Sequence, residues 1–313
     1  MMQATAELPR LTTPDRIARL IDLLVRSTGG QLDRFPMHRA EDHTLPVRID
    51  GVHQVLVVAP HPDDETFACA GAIDSAQREG RRVAVIFVTS GERCSASPFR
   101  KRLARTRERE AIRVLESLGL DPRVDVAFLR YPDASLTELA KAGSICTLGS
   151  CPGLGFPGIE RFRYDQLVAD LRAVILMARP EIVYLPDPRD AHDDHRATHQ
   201  AVRTALNTAP ELSPALRSYL VHYLEPQTGT SSFATTQHWL VQNRPLPDED
   251  QTVCLSDGHL DLHLQGQIWR LPYDEAKRYL IRLYQSQAGH QQYLWFAEHP
   301  ERFWTTNSHE VTR

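Results

Sequence analysis

"VVAPHPDDETFACAG", residues 57–71, ends an apolar run in a histidine and three consecutive acids. A buried strand gains nothing from such an end, because adjacent carboxylates repel and each costs free energy to desolvate. The charges call for a positive partner. Outward from this stretch, short β-branched runs alternate with longer helical patterns, the signature of βαβ units and a parallel sheet.

The strand candidates are residues 55–59, 83–89, 124–129, 181–185 and 216–224, with helices near 66–79, 100–118, 164–178 and 195–207. The first three strands are nearly unbroken in apolar residues, as expected where helices cover both faces. The fold class is therefore α/β: a Rossmann-like, mainly parallel sheet flanked by helices, with a further C-terminal region. There, residues 225–272 read as short strands with turns and residues 273–304 as helix, with Tyr279, Leu280, Leu283 and Tyr284 spaced to pack on the sheet.

In such sheets ligands gather outside the carboxyl ends of the strands. That rule collects the polar residues of this chain. His61, Asp63, Asp64 and Glu65 follow the first strand, Glu92 ("TSGE") the second, Asp133 ("YPD") the third, and His192, Asp194 and His195 ("DPRDAHDDHRATH") the fourth. Imidazole and carboxylate suit zinc or a similar divalent ion, and a hydrolytic site needs three of them, leaving a position for water. His61 and Asp64 can supply two from one turn and His195 a third from across the sheet. A cation also makes the crowded acids tolerable. The plainer alternative is that His61-Pro62 forms a turn and the acids cap the next helix. Capping requires neither the histidine nor a second cluster three strands later.

"APHPDDE", "TSGE" and "HDDH", each behind its strand, resemble the LmbE/PIG-L family of metal-dependent N-deacetylases, which act on N-acetylglucosaminyl compounds. The similarity runs from about residue 53 to 224. It implies that His61, Asp64 and His195 bind Zn2+ or another divalent ion, with Asp63 as general base towards water. It further implies that His192 polarises or protonates at the acetyl carbonyl and leaving amine, that Asp194 orients His192, that Arg107 lies near the sugar, that Asp133 binds sugar hydroxyls or is a plain turn aspartate, and that Glu92 contacts substrate or braces the metal turn. The expected substrate is a small amino sugar or glycoconjugate. For Arg107 the alternative is a solvated, salt-paired helix face, since arginines and glutamates interleave from Arg100 to Arg113.

The balance of the chain narrows the classes. With 313 residues, 42% hydrophobic, and a net charge of -4, it is long enough for one large domain and offers no general field for nucleic acid or anionic membrane. No stretch has membrane-spanning length or the form of a signal peptide. Five cysteines fit reduced thiols, so the expected location is cytoplasmic, and a homo-oligomer is compatible with all of this. Residues 1–50 are expected to be an N-terminal extension with a helix near 14–27, and residues 51–313 the deacetylase-like domain, with its core at 53–224 and a packing and substrate-shaping region at 225–313. The glycine- and proline-rich stretch 135–163 is expected to be a long loop over the substrate or a variable surface loop.

Competing functions fit less well. A nucleotide-binding protein needs glycines in the first turn, where three acids would repel a phosphate. A sugar-binding protein has no use for a positioned base. Cleavage of a different amide-linked sugar conjugate would use the same residues. His199 is expected to be structural or to support the ligands from behind, and His222, His259 and His263 to be exposed histidines rather than a metal pair.

Overall fold

The computed structural model describes residue 49 and residues 51–92, 100–141, 145–147, 161–222, 251–254, 258–287 and 291–306. All belong to one compact unit, Asp42–Arg313. The helix expected near 14–27, Cys151 and the stretch 223–250 lie outside the described residues.

The chain runs β1 (Val55–Ala59), α1 (Asp64–Arg78), β2 (Val83–Thr89), α2 (Arg100–Ser117), β3 (Val126–Tyr131) and α3 (Leu136–Ala140). It continues through β4 (Ile145–Thr147), β5 (Arg161–Arg163), α4 (Tyr164–Ala178), β6 (Ile182–Pro186), α5 (Asp193–Asn207) and β7 (Ala215–Tyr219). After these come β8 (Gln251–Cys254), β9 (His259–Leu264), β10 (Gln267–Pro272), α6 (Tyr273–Leu283), α7 (Trp295–Glu298) and β11 (Glu301–Thr306).

Among the described residues the main sheet has seven strands in the order β3-β2-β1-β6-β7-β11-β8. Pairing is parallel from β3 to β7 and antiparallel on both sides of β11. Successive residues of a strand face opposite sides. Leu56 and Val58 therefore join the core formed with Leu171, Val174, Ile175, Ala201 and Val202 of α4 and α5, while α1 packs against the other face. Both faces being covered accounts for the unbroken apolar runs of β1 and β2.

The strand order reverses at β1, whose neighbours are β2 and β6. A crevice opens at such a reversal, at the carboxyl ends of the two central strands. The motifs beginning at His61 and Asp190 follow those two strands.

Three expectations need correction. Residues 135–163 are not wholly loop: α3 and the antiparallel pair β4–β5 lie within them, residues 142–144 and 148–160 being outside the described part. The last segment is not helical to 304, because residues 301–306 form β11, inserted between β7 and β8. Finally, α6 and its C-terminal flank bury Tyr279, Leu280, Leu283 and Tyr284 as expected, yet the helix packs mainly on α7, α1, α2 and the β9–β10 hairpin rather than on the sheet.

The same helix buries Lys277, which has no exposed surface. Its Nζ donates to Glu301 Oε1 at 2.6 Å and to the Tyr273 hydroxyl at 2.7 Å. Glu301 also accepts the N–H groups of Gly71 and Ala72, in the middle of α1, at 2.8 and 3.0 Å. A Cβ at Gly71 would stand 3.1 Å from Glu301 Oε2, so the absent side chain permits this approach. Removing one partner of a buried ion pair strands the other charge. Lys277→Met is expected to cost about 3–5 kcal/mol in denaturant unfolding, and a loss below about 1 kcal/mol would contradict that role.

Candidate active site

β1 ends at Ala59, and the chain turns through His61 and Pro62 into α1. Asp63, at the turn, has φ 127° and ψ −27°, a conformation that side-chain-bearing residues rarely adopt. Its surroundings hold it there. The Asp63 N–H donates to Glu65 Oε2 at 3.0 Å, its carbonyl accepts from Thr66 and Phe67, and its carboxylate accepts from Arg107 at 2.8 Å. Glu65 is itself buried and accepts hydrogen bonds from the hydroxyls of Thr66 and Tyr284. Strain at this position is thus sustained by contacts from α1, α2 and the segment after α6.

Next to it, three expected ligand atoms meet. His61 Nδ1 and His195 Nε2 each lie 3.2 Å from Asp64 Oδ2, and 3.3 Å from one another. A tetrahedral ion with ordinary zinc–ligand bonds requires ligand atoms about 3.3 Å apart, so this triangle fits a divalent ion without rearrangement. The other ring nitrogens are committed elsewhere. His195 Nδ1 lies 3.1 Å from Asp190 Oδ2, and His61 Nε2 faces Asp133 Oδ1 at 3.2 Å and Asp194 Oδ2 at 3.4 Å. Carboxylates behind both rings favour a proton on the outer nitrogen and a lone pair towards Asp64, as metal-binding histidines require.

The electrostatics agree. Burial opposes charge on His195, but Asp190 and Asp64 outweigh it and raise its pKa to about 9. Burial likewise opposes charge on His61, and Asp133, Asp194 and Asp64 overcome it, holding the pKa well above the usual value. Asp64 is buried too, yet the two histidines keep its pKa well below the carboxylate range. Positive charge is favoured at the centre of the triangle. Asp63 differs: burial pushes it up to about 7, against the pull of Arg107.

His192 caps α5 with its side chain, Nδ1 accepting the Asp194 N–H at 3.2 Å. That bond leaves its proton on Nε2, where it can be donated. Burial, reinforced by His61 and His195, lowers its pKa to about 2, so the ring is neutral. Asp194 does not orient His192 through its carboxylate as expected. Its oxygens accept the N–H groups of Ala134 and Leu136 at 2.6 and 3.1 Å and face His61. It fixes the loop after β3 and one ligand ring instead.

The residues expected at the sugar have other partners as well. Arg107 is buried, which overturns the solvated-face alternative, and its guanidinium is held by Asp63, Pro62 O at 2.5 Å and Gly91 O at 2.9 Å. A Cβ at Gly91, where φ is +63°, would come within 2.5 Å of the Arg107 guanidinium carbon. Asp133 faces His61. Glu92 accepts the Asp133 N–H at 3.0 Å and braces that turn.

A cavity of about 200 Å³ opens on the site, lined by His61, Asp63, Asp64, Asp133, His192 and Arg107. His222, Phe67, Gln287 and Tyr293 complete most of its wall. Of these, His222 was expected to be an exposed histidine away from the site, and neither Gln287 nor Tyr293 carries a sequence signal that would have marked it. Asp190 was also missed. It accepts from His192 N (2.9 Å), Val221 N (3.0 Å) and His222 N (3.1 Å) besides facing His195, and the signal was its place in the acidic run before "HDDH". His199 is structural, its Nδ1 lying 2.8 Å from Pro186 O, and His259 and His263 are exposed.

A doubly wound α/β domain with a buried His–Asp–His triangle at its switch point defines the class: an α/β protein with the donor set of a divalent-metal site. Residues 56–206 match the family described as PIG-L, GlcNAc-PI de-N-acetylase. Among solved structures, a conserved protein of Thermus thermophilus is similar over 83% of this chain and 98% of its own, with 19% identity and a TM-score of 0.51. The N,N'-diacetylchitobiose deacetylase of Pyrococcus horikoshii is similar over 97% and 95%, with 16% identity and a TM-score of 0.50. At these identities the likeness is one of fold. No curated protein sequence matches significantly. Among the described residues no helix is long and apolar enough to cross a membrane.

Proposed function

We propose that the chain is a zinc-dependent N-deacetylase acting on an amino sugar of the N-acetylglucosamine type or its glycoconjugate. The observation that carries this reading is the position of Asp63 beside the triangle of His61, Asp64 and His195, within the family's matched segment. A bound divalent ion supplies Lewis acidity, making water easier to deprotonate near neutral pH and polarising an amide carbonyl.

The chain's own groups do the rest. Asp63, with one oxygen fixed by Arg107, takes the proton of the attacking water. His192 presents its Nε2 proton to the oxygen on which negative charge develops as the amide carbon becomes tetrahedral. Collapse of that intermediate breaks the C–N bond, and the proton gained by Asp63 passes to the leaving amine. Acetate and a free amino sugar result.

Acetate release from N-acetylglucosamine, its short oligomers and its conjugates tests the proposal, in parallel with metal analysis of the purified protein. About one equivalent of zinc and release from at least one substrate are expected. A well-folded protein that takes up no divalent ion, or releases acetate from none of them, would refute it. The Asp190 carboxylate behind His195 gives a further check. Asp190→Asn is expected to weaken zinc binding by about 10–100-fold in a chelator competition, and unchanged affinity would separate Asp190 from the metal.

A further inference from the structure

The cavity wall has two chemically distinct parts. One is ionisable and holds the groups assigned above. The other is Phe67, Tyr293 and Gln287, the last two from the segment after α6. Phe67 lies in the middle of an aromatic stack, its ring 4.7 Å from Tyr293 at 25° and 4.8 Å from Phe296 at 17°. On α1, Phe67 follows Asp64 by three residues, which sets the stack about 5 Å along the helix from the ligand turn. A six-membered ring attached directly to an amide nitrogen at the ligand turn reaches that far.

The segment is anchored at several points. The Tyr284 hydroxyl donates to Glu65, and Ser286 donates from its N–H (2.8 Å) and hydroxyl to the two carboxylate oxygens of Glu110 on α2. The Gln287 N–H donates to Tyr284 O at 2.9 Å. Gln287 is 6% exposed and Tyr293 half-buried, and both border the cavity. An aromatic face suits the apolar C–H face of a sugar ring, and a carboxamide, with both donors and an acceptor, suits its hydroxyls.

We infer that Tyr293, backed by Phe67 and Phe296, together with Gln287, forms the subsite for the pyranose ring that bears the scissile N-acetyl group. The inference rests on the proposed deacetylase reading for its substrate and extends it to residues outside the matched family segment.

Two measurements on the full chain test it. In the first, kcat/KM is compared for N-acetylglucosamine and for N-acetylethanolamine, which has the amide and no ring. Tyr293→Ala should lower the sugar-to-ringless ratio by about tenfold, Tyr293→Phe should restore most of it, and Gln287→Ala should lower it through KM. A ratio unchanged in Tyr293→Ala overturns the subsite. In the second, saturation transfer from the protein to glucosamine is followed by NMR and requires no turnover. Transfer to the ring protons of glucosamine in the parent, reduced in Tyr293→Ala, sustains the subsite even where no acetate is released and the deacetylase reading has failed. Absence of transfer in the parent, or equal transfer in both proteins, overturns it.

Discussion

Replacing His195 with alanine is expected to empty the site of its ion and abolish turnover while the domain remains folded. Three donor atoms 3.2–3.3 Å apart would hold the proposed ion, and His195 is the one contributed from β6's side of the crevice. With two donors left on a single turn, a divalent ion has too few protein ligands for the tetrahedral site that zinc favours. The substitution also takes away the ring facing the buried Asp190, although that carboxylate keeps three backbone N–H donors from His192, Val221 and His222. Metal analysis after dialysis, alongside circular dichroism, reads the result. A folded His195→Ala protein that retains a full equivalent of zinc would remove His195 from the ligand set.

Asp63→Asn should behave in the opposite way. The amide preserves the volume of the side chain and an oxygen for Arg107, but it takes no proton. Zinc content should remain near that of the parent, and kcat should fall by about 10²–10⁴, the usual contribution of general base catalysis. Turnover within tenfold of the parent would assign the base elsewhere. The two substitutions form a matched pair, because Asp63 borders the cavity beside the triangle and His195 is one of the triangle's own corners. Loss of metal in Asp63→Asn with retention in His195→Ala would invert the assignment of roles.

The centre of the sheet was legible because its information is local. β1 and β2 are apolar runs bounded by turn residues, and both begin and end where the sequence places them. The convergence of His61, Asp64 and His195 was legible for a related reason: strands ending at a switch point deliver whatever follows them to one crevice. What escaped depends on contacts distant in sequence. "ERFWTT" reads as the tail of a helix, and only pairing with β7 and β8 makes it a strand. The run "LRSYLVHYL" was expected to be extended to residue 224, but β7 stops at Tyr219, and the N–H groups of Val221 and His222 turn to Asp190. That turn brings His222 to the cavity. Arg107 was visible as a residue, but its partner was not. A helical arginine among glutamates carries no sign that it will be buried against the strained turn at Asp63.

Every expected metal ligand has been translated by residue 195, yet the turn that carries two of them is held by groups made much later. Tyr284 meets Glu65 across 219 residues, and Glu301 grips the backbone of α1 across 230. A domain emerging from the ribosome begins to fold from its N-terminal part. For this chain, a ribosome-bound intermediate exposing the first 224 residues would own the complete motif set and still lack the supports of the turn at Asp63. Activity should therefore arise late and abruptly during synthesis, when β11 enters the sheet.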